Sequence, residues 1–547
     1  MHRLGLAALL AVVAMVAAVF VAGGSASSAQ KPKTGGTVIF GAEQEPPCLN
    51  GALDGCNNTW TSWTVGTSLR ALYIIKPSFA IVPDMADGEA KVSRTGGKFT
   101  LTIKIKKQAV WNDGVPVTVK DFVYTMQSYL DPKNEVAGRS GWDSIGSVKS
   151  LSKDGKTFRV IFKTPYAPWK VLLSTSLYPQ HALQGTDFNT VWNENYNNPK
   201  TGKAMGNGPF ILSNYTKGQS ITMTRNPKWW GPHKPYLDKV VFVFRTNTDT
   251  EIQAIRGGEV DAIYPQPQLQ LVDLKSQPGL KIESNAGTSF EHFDYNQQLK
   301  GGMPLFRAPW FRQAVSYAIN REALINQIYK RFNPKQGVLQ NLSYANSQKG
   351  QYEPHFGVYK YSPAKVAQIM QKHGCTKGSD GIFTCQGTKA SIKIGTTSGN
   401  RLRELVVEIA QAQAKAAGIE LVPANAPSRI LFPQLSDGNY QIAMFAWVGS
   451  GDPAGQVDIY GCGGAANWKG YCSKKVTDLL RQSDAELDPT KRTALVNKAD
   501  AIMALNVPTL PLVQKPTFLV YKTKIKGIRD NSTLQGPTDN MEDWWVS

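Results

Sequence analysis

The sequence predicts an α/β chain. Strand-like stretches that alternate apolar and polar residues with period two recur along it, and from Leu402 to Phe445 helix and strand patterns alternate. The length of 547 residues allows about three domains or lobes of ordinary size, and a hydrophobic content of 41% is enough to fill their cores.

The elements follow in order. Met1-His2-Arg3 precedes an apolar run from Leu4 to Ala22, then small residues to Ala29. This reads as a secretory signal over 1–29, cleaved near Ala26 or Ala29, or as an uncleaved anchor of about membrane-spanning length. Either reading puts the rest of the chain outside the cytoplasm. No later stretch is apolar for long enough to span a membrane; the best, Ile442 to Val448, suits a buried strand. Thr37 to Phe40 is a short strand that runs into a carboxylate-rich turn, Glu43 to Pro47, which makes Glu45 a candidate ligand contact. Leu101 to Ile105 and Phe158 to Phe162 alternate as half-buried strands do. Between them Asp113-Gly114 turns the chain, and Thr118 with Asp121 caps a helix from Val119 to Leu130.

Strands are expected at Ile221 to Arg225 and Val240 to Phe244, separated by the Trp229-Trp230 loop. A helix started by Thr248 and Asp249 ends at Gly257-Gly258, and Val260 to Ile263 is a strand. Further helices are expected from Pro309 to Tyr329, broken near Asn320, and from Arg401 to Ala417, stopped by Gly418. The strand Ile419 to Val422, helices at Val476 to Asp484 and Pro489 to Leu505, and the strand Thr517 to Tyr521 complete the reading.

The six cysteines fall as three close pairs: Cys48 with Cys56, Cys375 with Cys385, and Cys462 with Cys472. In an exported chain this suggests three local disulfide loops. Zinc is the alternative, but Cys-x-x-Cys spacing is absent. The six histidines are dispersed, so no metal or other cofactor is expected. A formal charge of +20 invites a nucleic-acid reading. The lysines and arginines are scattered, however, and a basic exported surface explains them. The five-residue nucleophile elbow and the phosphate loop ending in Lys-Ser or Lys-Thr are both missing, which argues against a hydrolase or nucleotide enzyme.

Several stretches then carry a resemblance. Gly35-Gly36-Thr37, Val110 to Phe122 (VWNDGVPVTVKDF), Tyr178-Pro179-Gln180-His181, Gly206 to Phe210 (GNGPF) and Arg225 to Trp230 (RNPKWW) come first. Gly258 to Asp261 (GEVD), Arg312 to Arg321 (RQAVSYAINR) and Pro508 to Leu512 (PTLPL) follow in order. Together they resemble the large peptide and nickel-type extracellular solute-binding proteins of ABC importers, bacterial family 5, over nearly everything after Gly35. Asp458 to Gly464, with Asn467, Trp468 and Cys472, is similar to branches from high-GC Gram-positive bacteria.

The resemblance implies a two-lobed periplasmic-binding-protein fold, class II-like and large, with a subdomain inserted in the first lobe. Lobe I would comprise 36–59, 200–287 and 515–547, the insertion 60–199, and lobe II 288–514. It also implies a receptor without enzymatic activity that hands a small peptide or peptide-like ligand to ABC permease subunits. Such a receptor is expected to act as a monomer and to touch membrane only through its N-terminal segment or the permease.

In peptide-binding members an acid three residues after a tryptophan pairs with the ligand's amino terminus. Here Trp447 is followed at that position by Ser450, with Asp452 nearby as a substitute acid or as a turn former. Arg401 and Arg403 lie near where some members hold a ligand carboxylate, and a solvated helix end is the alternative. Trp447 and Trp468 suit either a peptide or a ligand with sugar or lipid parts. The second reading is therefore a cell-envelope assembly factor that binds a glycolipid on the same fold, since fold alone does not fix function.

Overall fold

Two long antiparallel strands, Leu280–Tyr295 and Thr509–Lys522, join the two halves of the molecule in the computed structural model, which describes residues 31–268 and 270–547. The expected signal or anchor lies outside the described residues. The two strands form the centre of a ten-stranded sheet. On one side the order runs through Ala262–Ile263, Thr37–Ala42, Lys239–Phe244, Ser220–Arg225 and Phe210–Thr216. On the other side come Ile442–Trp447, Ser391–Gly395 and Glu420–Pro423.

Pairing between the long strands is interrupted between Ala286 and Phe290, and it resumes with Phe290 opposite Gln514. Leu280 to Ala286 pair with Lys522 to Pro516, while from Phe290 onward the first strand also pairs with Trp447 to Ile442. The sheet therefore belongs to two lobes, and the break in the ladder falls between them. Each lobe has its own apolar core. One collects residues from 38–264 and 519–546, the other residues from 293–513. Each core is large, so each lobe can keep its shape while the connection bends. Within the first lobe, Lys91–Thr95, Lys98–Lys104, Thr157–Phe162 and Ile145–Ser150 form a separate four-stranded sheet covered by the helix Val119–Leu130.

Local signals account for much of this. Thr118 and Asp121 make a reciprocal capping box, with Thr118 N–H donating to Asp121 at 2.8 Å, an arrangement worth about 1 kcal/mol. Gly418, at φ +86°, stops the helix Arg401–Ala416, and a side chain there would meet the Phe383 ring at 2.7 Å. Asp113 and Gly114 form the expected turn, which His181 buttresses at 2.9 Å from Asp113. Trp229 and Trp230 pack as a buried loop, with the Trp230 indole donating to the Asn207 carbonyl.

Other elements differ from the sequence reading in detail. The helix Thr248–Arg256 starts where expected and runs one residue past Ile255, and Asn247 caps it by accepting from Asp249 and Thr250 N–H. The strand expected over 260–263 is paired only at Ala262–Ile263. The break expected near Asn320 in the helix from Pro309 to Tyr329 is present: the helix ends at Tyr317 and restarts after Asn320 as Arg321–Leu324, but its last turn, Ile325–Tyr329, is a π-turn.

The cysteines form the three expected local disulfides, Cys48–Cys56, Cys375–Cys385 and Cys462–Cys472. Intact mass before and after alkylation should therefore show six thiols masked until reduction. Replacing Cys375 and Cys385 together by serine should cost about 2–3 kcal/mol for a loop of this size. An unchanged urea midpoint would show that this bond does not contribute.

Candidate functional site: a closed cavity at the end of a second-lobe strand

The strand Ile442–Trp447 leaves the sheet beside the point where the long strands lose their pairing, and the chain then turns through Val448 to Asp452. Thr288 fixes this turn by donating to the Gly449 carbonyl at 2.6 Å. Gly451 takes φ +84°, and a Cβ there would come 3.1 Å from the Phe79 ring of the first lobe, so the loop and that lobe are in close contact. A cavity of about 130 Å³ opens beside this turn. Its wall combines Trp447, Ser450 and Asp452 with Tyr344, Gln348 and Tyr460 from elsewhere in the second lobe, and Val171 and Leu534 of the first lobe close it.

Trp447 belongs to an aromatic cluster. Its ring lies 5.2 Å from Phe445 and 5.3 Å from Trp468, centroid to centroid, and such pairs add about 0.5–1.5 kcal/mol each beyond burial. Behind it His292 is fully buried, and burial lowers its pKa, which keeps the ring neutral. Ser450 donates to the Asp452 carbonyl at 3.1 Å. Asp452 is held bidentately by Arg492, at 2.7 and 2.6 Å.

The remaining residues singled out from the sequence do not line this cavity. Trp468 is buried, and its indole N–H donates to Asp54 at 2.7 Å. The Cys462–Cys472 disulfide and Lys469, whose ammonium is buried 3.3 Å from Asp294, hold its loop in place. Glu45 accepts from Gly218 N–H and the Tyr215 hydroxyl, and Arg429 approaches it at 3.7 Å. Arg401 is exposed, pairs with Glu408 at 3.0 Å, and borders a separate groove beside Phe332 and Leu405. It is a solvated helix end.

Arg403, two residues on, points the other way. It binds Glu291 with both arms of its guanidinium, at 3.0 Å from Nε and Nη2, deep in the protein. Lys515 lies 3.5 Å from the same carboxylate and also donates to Gln266, whose amide reaches Glu43. This chain of charged and amide groups runs from the first lobe through a long strand into the second, and Glu43, Gln266, Arg403 and Lys515 border a small cavity of about 50 Å³. Burial alone would raise the Glu291 pKa, but Arg403 and Lys515 outweigh it and hold the group ionised. Sequence reading missed Tyr344, Gln348, Tyr460 and Val171. They come from loops and two short helices, Trp169–Leu172 and Gln456–Tyr460, and nothing in their spacing points to a shared wall.

The lobes meet elsewhere through carboxyl groups. Asp458 accepts from the backbone N–H groups of Arg139 and Ser140 at 3.2 and 3.1 Å. Asp484 takes a hydrogen bond from the Ser140 hydroxyl. Burial raises Asp54 to about 7, with Glu135 and Asp437 adding to the shift against the Trp468 hydrogen bond. Asp484 is pushed to about 7 and Asp458 to about 6, again by burial first.

A raised carboxyl pKa means that the folded form binds the proton more tightly than the unfolded chain. The stabilisation is fully present below the unfolded value near 3.8 and is lost as pH rises through about 7. Asp54→Asn keeps an acceptor for Trp468 without the charge. It should raise Tm by a few degrees at pH 8 and change it little at pH 4. A uniform shift at both pH values, read by differential scanning fluorimetry, would refute this account.

Three comparisons with known proteins bear on this geometry. The profile of the bacterial extracellular solute-binding proteins, family 5 Middle, matches residues 80–468. The oligopeptide-binding protein OppA of Bacillus subtilis is 25% identical over 473 residues, spanning 81% of this chain and 83% of its own. OppA of Mycobacterium tuberculosis is 26% identical over 509 residues, spanning 91% and 83%. Among solved structures, the oligopeptide-binding protein AppA of Bacillus subtilis, in complex with a nonapeptide, superposes with a TM-score of 0.84 at 20% identity, covering 94% of this chain and all of its own. The superposition shows a shared fold, and the profile match over most of the sequence shows that the chain belongs to the bacterial extracellular solute-binding proteins, family 5.

Proposed function

We propose that the protein is the extracytoplasmic receptor of an ABC importer, which captures a peptide or peptide-like solute between its lobes and presents the closed form to a permease. The observation that carries this reading is the cavity beside Trp447, walled mainly by the second lobe and closed by residues of the first. That is the arrangement expected of a site whose occupant holds two lobes together, as in periplasmic receptors that close around ligand by a hinge. The relatives named as oligopeptide-binding proteins support a peptide as the cargo.

The interrupted ladder at 287–289 is the natural hinge. With that hinge we read a first lobe of 36–59, 200–287 and 515–547, an insertion of 60–199 and a second lobe of 288–514, the bounds that the family resemblance implies. Closure is driven only by the excess affinity of the ligand for the closed form. In this reading Trp447 and Ser450 contact ligand, whereas Arg403 and Trp468 position the walls. The receptor works as a monomer and leaves its cargo chemically unchanged.

Native mass spectrometry of the protein from its own host, followed by denaturation, tests the reading. A released mixture of short peptides is the expected result. A single glycolipid in their place would move the function to envelope assembly.

A further inference from the structure

The cavity beside Trp447 is almost free of charge. Of its lining residues only Asp452 carries an ordinary ionisable carboxylate, and the others are apolar, amide, hydroxyl or phenol groups. The Asp452 charge is already paired, because Arg492 donates to both of its oxygens. The amides are largely committed as well, Gln514 donating to the Gly287 carbonyl. Gln348 accepts from Ala345 N–H and donates to the Gly451 carbonyl, and Gln456 accepts from Ser343. Asn341 accepts from Ser343 and Tyr344 N–H and donates to the Glu353 carbonyl.

One buried polar atom of the wall stands without a partner: the Trp447 indole N–H has no hydrogen-bond partner among the described residues. An indole N–H can only donate, so its complement is a carbonyl, ether or hydroxyl oxygen. It cannot serve an ammonium. Moving an ammonium into such a chamber removes its hydration without supplying a free counter-charge. An ammonium brought to Asp452 would meet a carboxylate whose charge Arg492 already neutralises, and displacing Arg492 would leave that guanidinium without its partner.

We infer that the part of the ligand received by this cavity is electrically neutral and oxygen-bearing, so that the receptor takes an amino-terminally blocked or otherwise uncharged group there and not a free amino terminus. The inference rests on the peptide reading of the same cleft for its first probe. The absence of an acid at Ser450 is then a specificity determinant: the neutral hydroxyl shapes the loop and leaves the wall without charge.

The test uses two matched pools of mixed pentapeptides, one with free amino termini and one N-acetylated, titrated into the full protein and read by native mass spectrometry. The acetylated pool should bind at least as tightly as its twin. A free-amine pool that binds more tightly overturns the inference and leaves the peptide reading standing. Ser450→Asp, which places a new carboxylate on the wall, should swing the preference about tenfold towards free amines. An unchanged ratio in a folded variant would show that the terminus lies elsewhere, which also overturns the inference.

If neither pool binds, the peptide reading falls, and the molecule carried from the host decides the inference. A primary amine on it that is shielded from acylation while bound counts against a neutral group. A bound species without such an amine supports it.

Discussion

Trp447→Ala should weaken ligand binding by roughly thirtyfold or more, the loss expected when a central aromatic contact of about 2–4 kcal/mol is truncated. The ring lines the cavity and is braced by Phe445 and Trp468, so it meets a ligand without having to be ordered first. Isothermal titration with the host-derived ligand reads the effect, and circular dichroism checks the fold. Trp447→Phe keeps the stacked surface and loses the indole N–H, so it should fall between the two. If Trp447→Ala binds as the wild type does, the cavity is not the ligand site, and the proposed function loses the observation that carries it.

The second large effect is on stability. Arg403→Met should cost about 3–5 kcal/mol, because it strands the Glu291 carboxylate in a buried place with only Lys515 at 3.5 Å to compensate. The size comes less from the strength of the pair than from the penalty of an unpaired buried charge. Removing both partners, Glu291→Leu with Arg403→Met, should recover part of the loss. Urea titration of the three proteins separates the cases, and a single variant as stable as wild type would show that water reaches Glu291. The pair also bears on closure, since the same charges continue through Lys515 and Gln266 to Glu43 in the first lobe.

These two predictions draw on different kinds of information. Trp447 was legible as a candidate because the chain around it carries a family pattern. Arg403 was picked because it lies near where some members hold a ligand carboxylate, and only the fold turned it inward onto Glu291, 112 residues away in sequence. Arg401, two residues earlier on the same helix, faces solvent instead. A helix turns by about 100° per residue, so neighbours two apart point to opposite sides. Which side is buried depends on what packs against the helix.

What the sequence determined by itself is local. The capping box at Thr118 and Asp121, the Gly418 stop, the turn at Asp113-Gly114 and the three disulfides all join residues within about ten positions of each other, where backbone geometry and short loops leave few alternatives. A continuous apolar run located the buried strand Ile442–Trp447, and period-two patterning located much of the first-lobe sheet, because one buried face per strand leaves a readable alternation. The long strand Leu280–Tyr295 was missed. Its first half is a half-exposed ribbon and its second half is buried on both faces, so no single period runs through it.

Only the tertiary structure decided the pairings that make the site. Asp452 meets Arg492 across 40 residues, Trp468 meets Asp54 across 414, and the cavity wall brings Val171 and Leu534 to Trp447. A sequence shows that a carboxylate, a guanidinium or an indole is present. Whether its charge is spent or free depends on which other groups share its low-dielectric surroundings, and packing alone sets that.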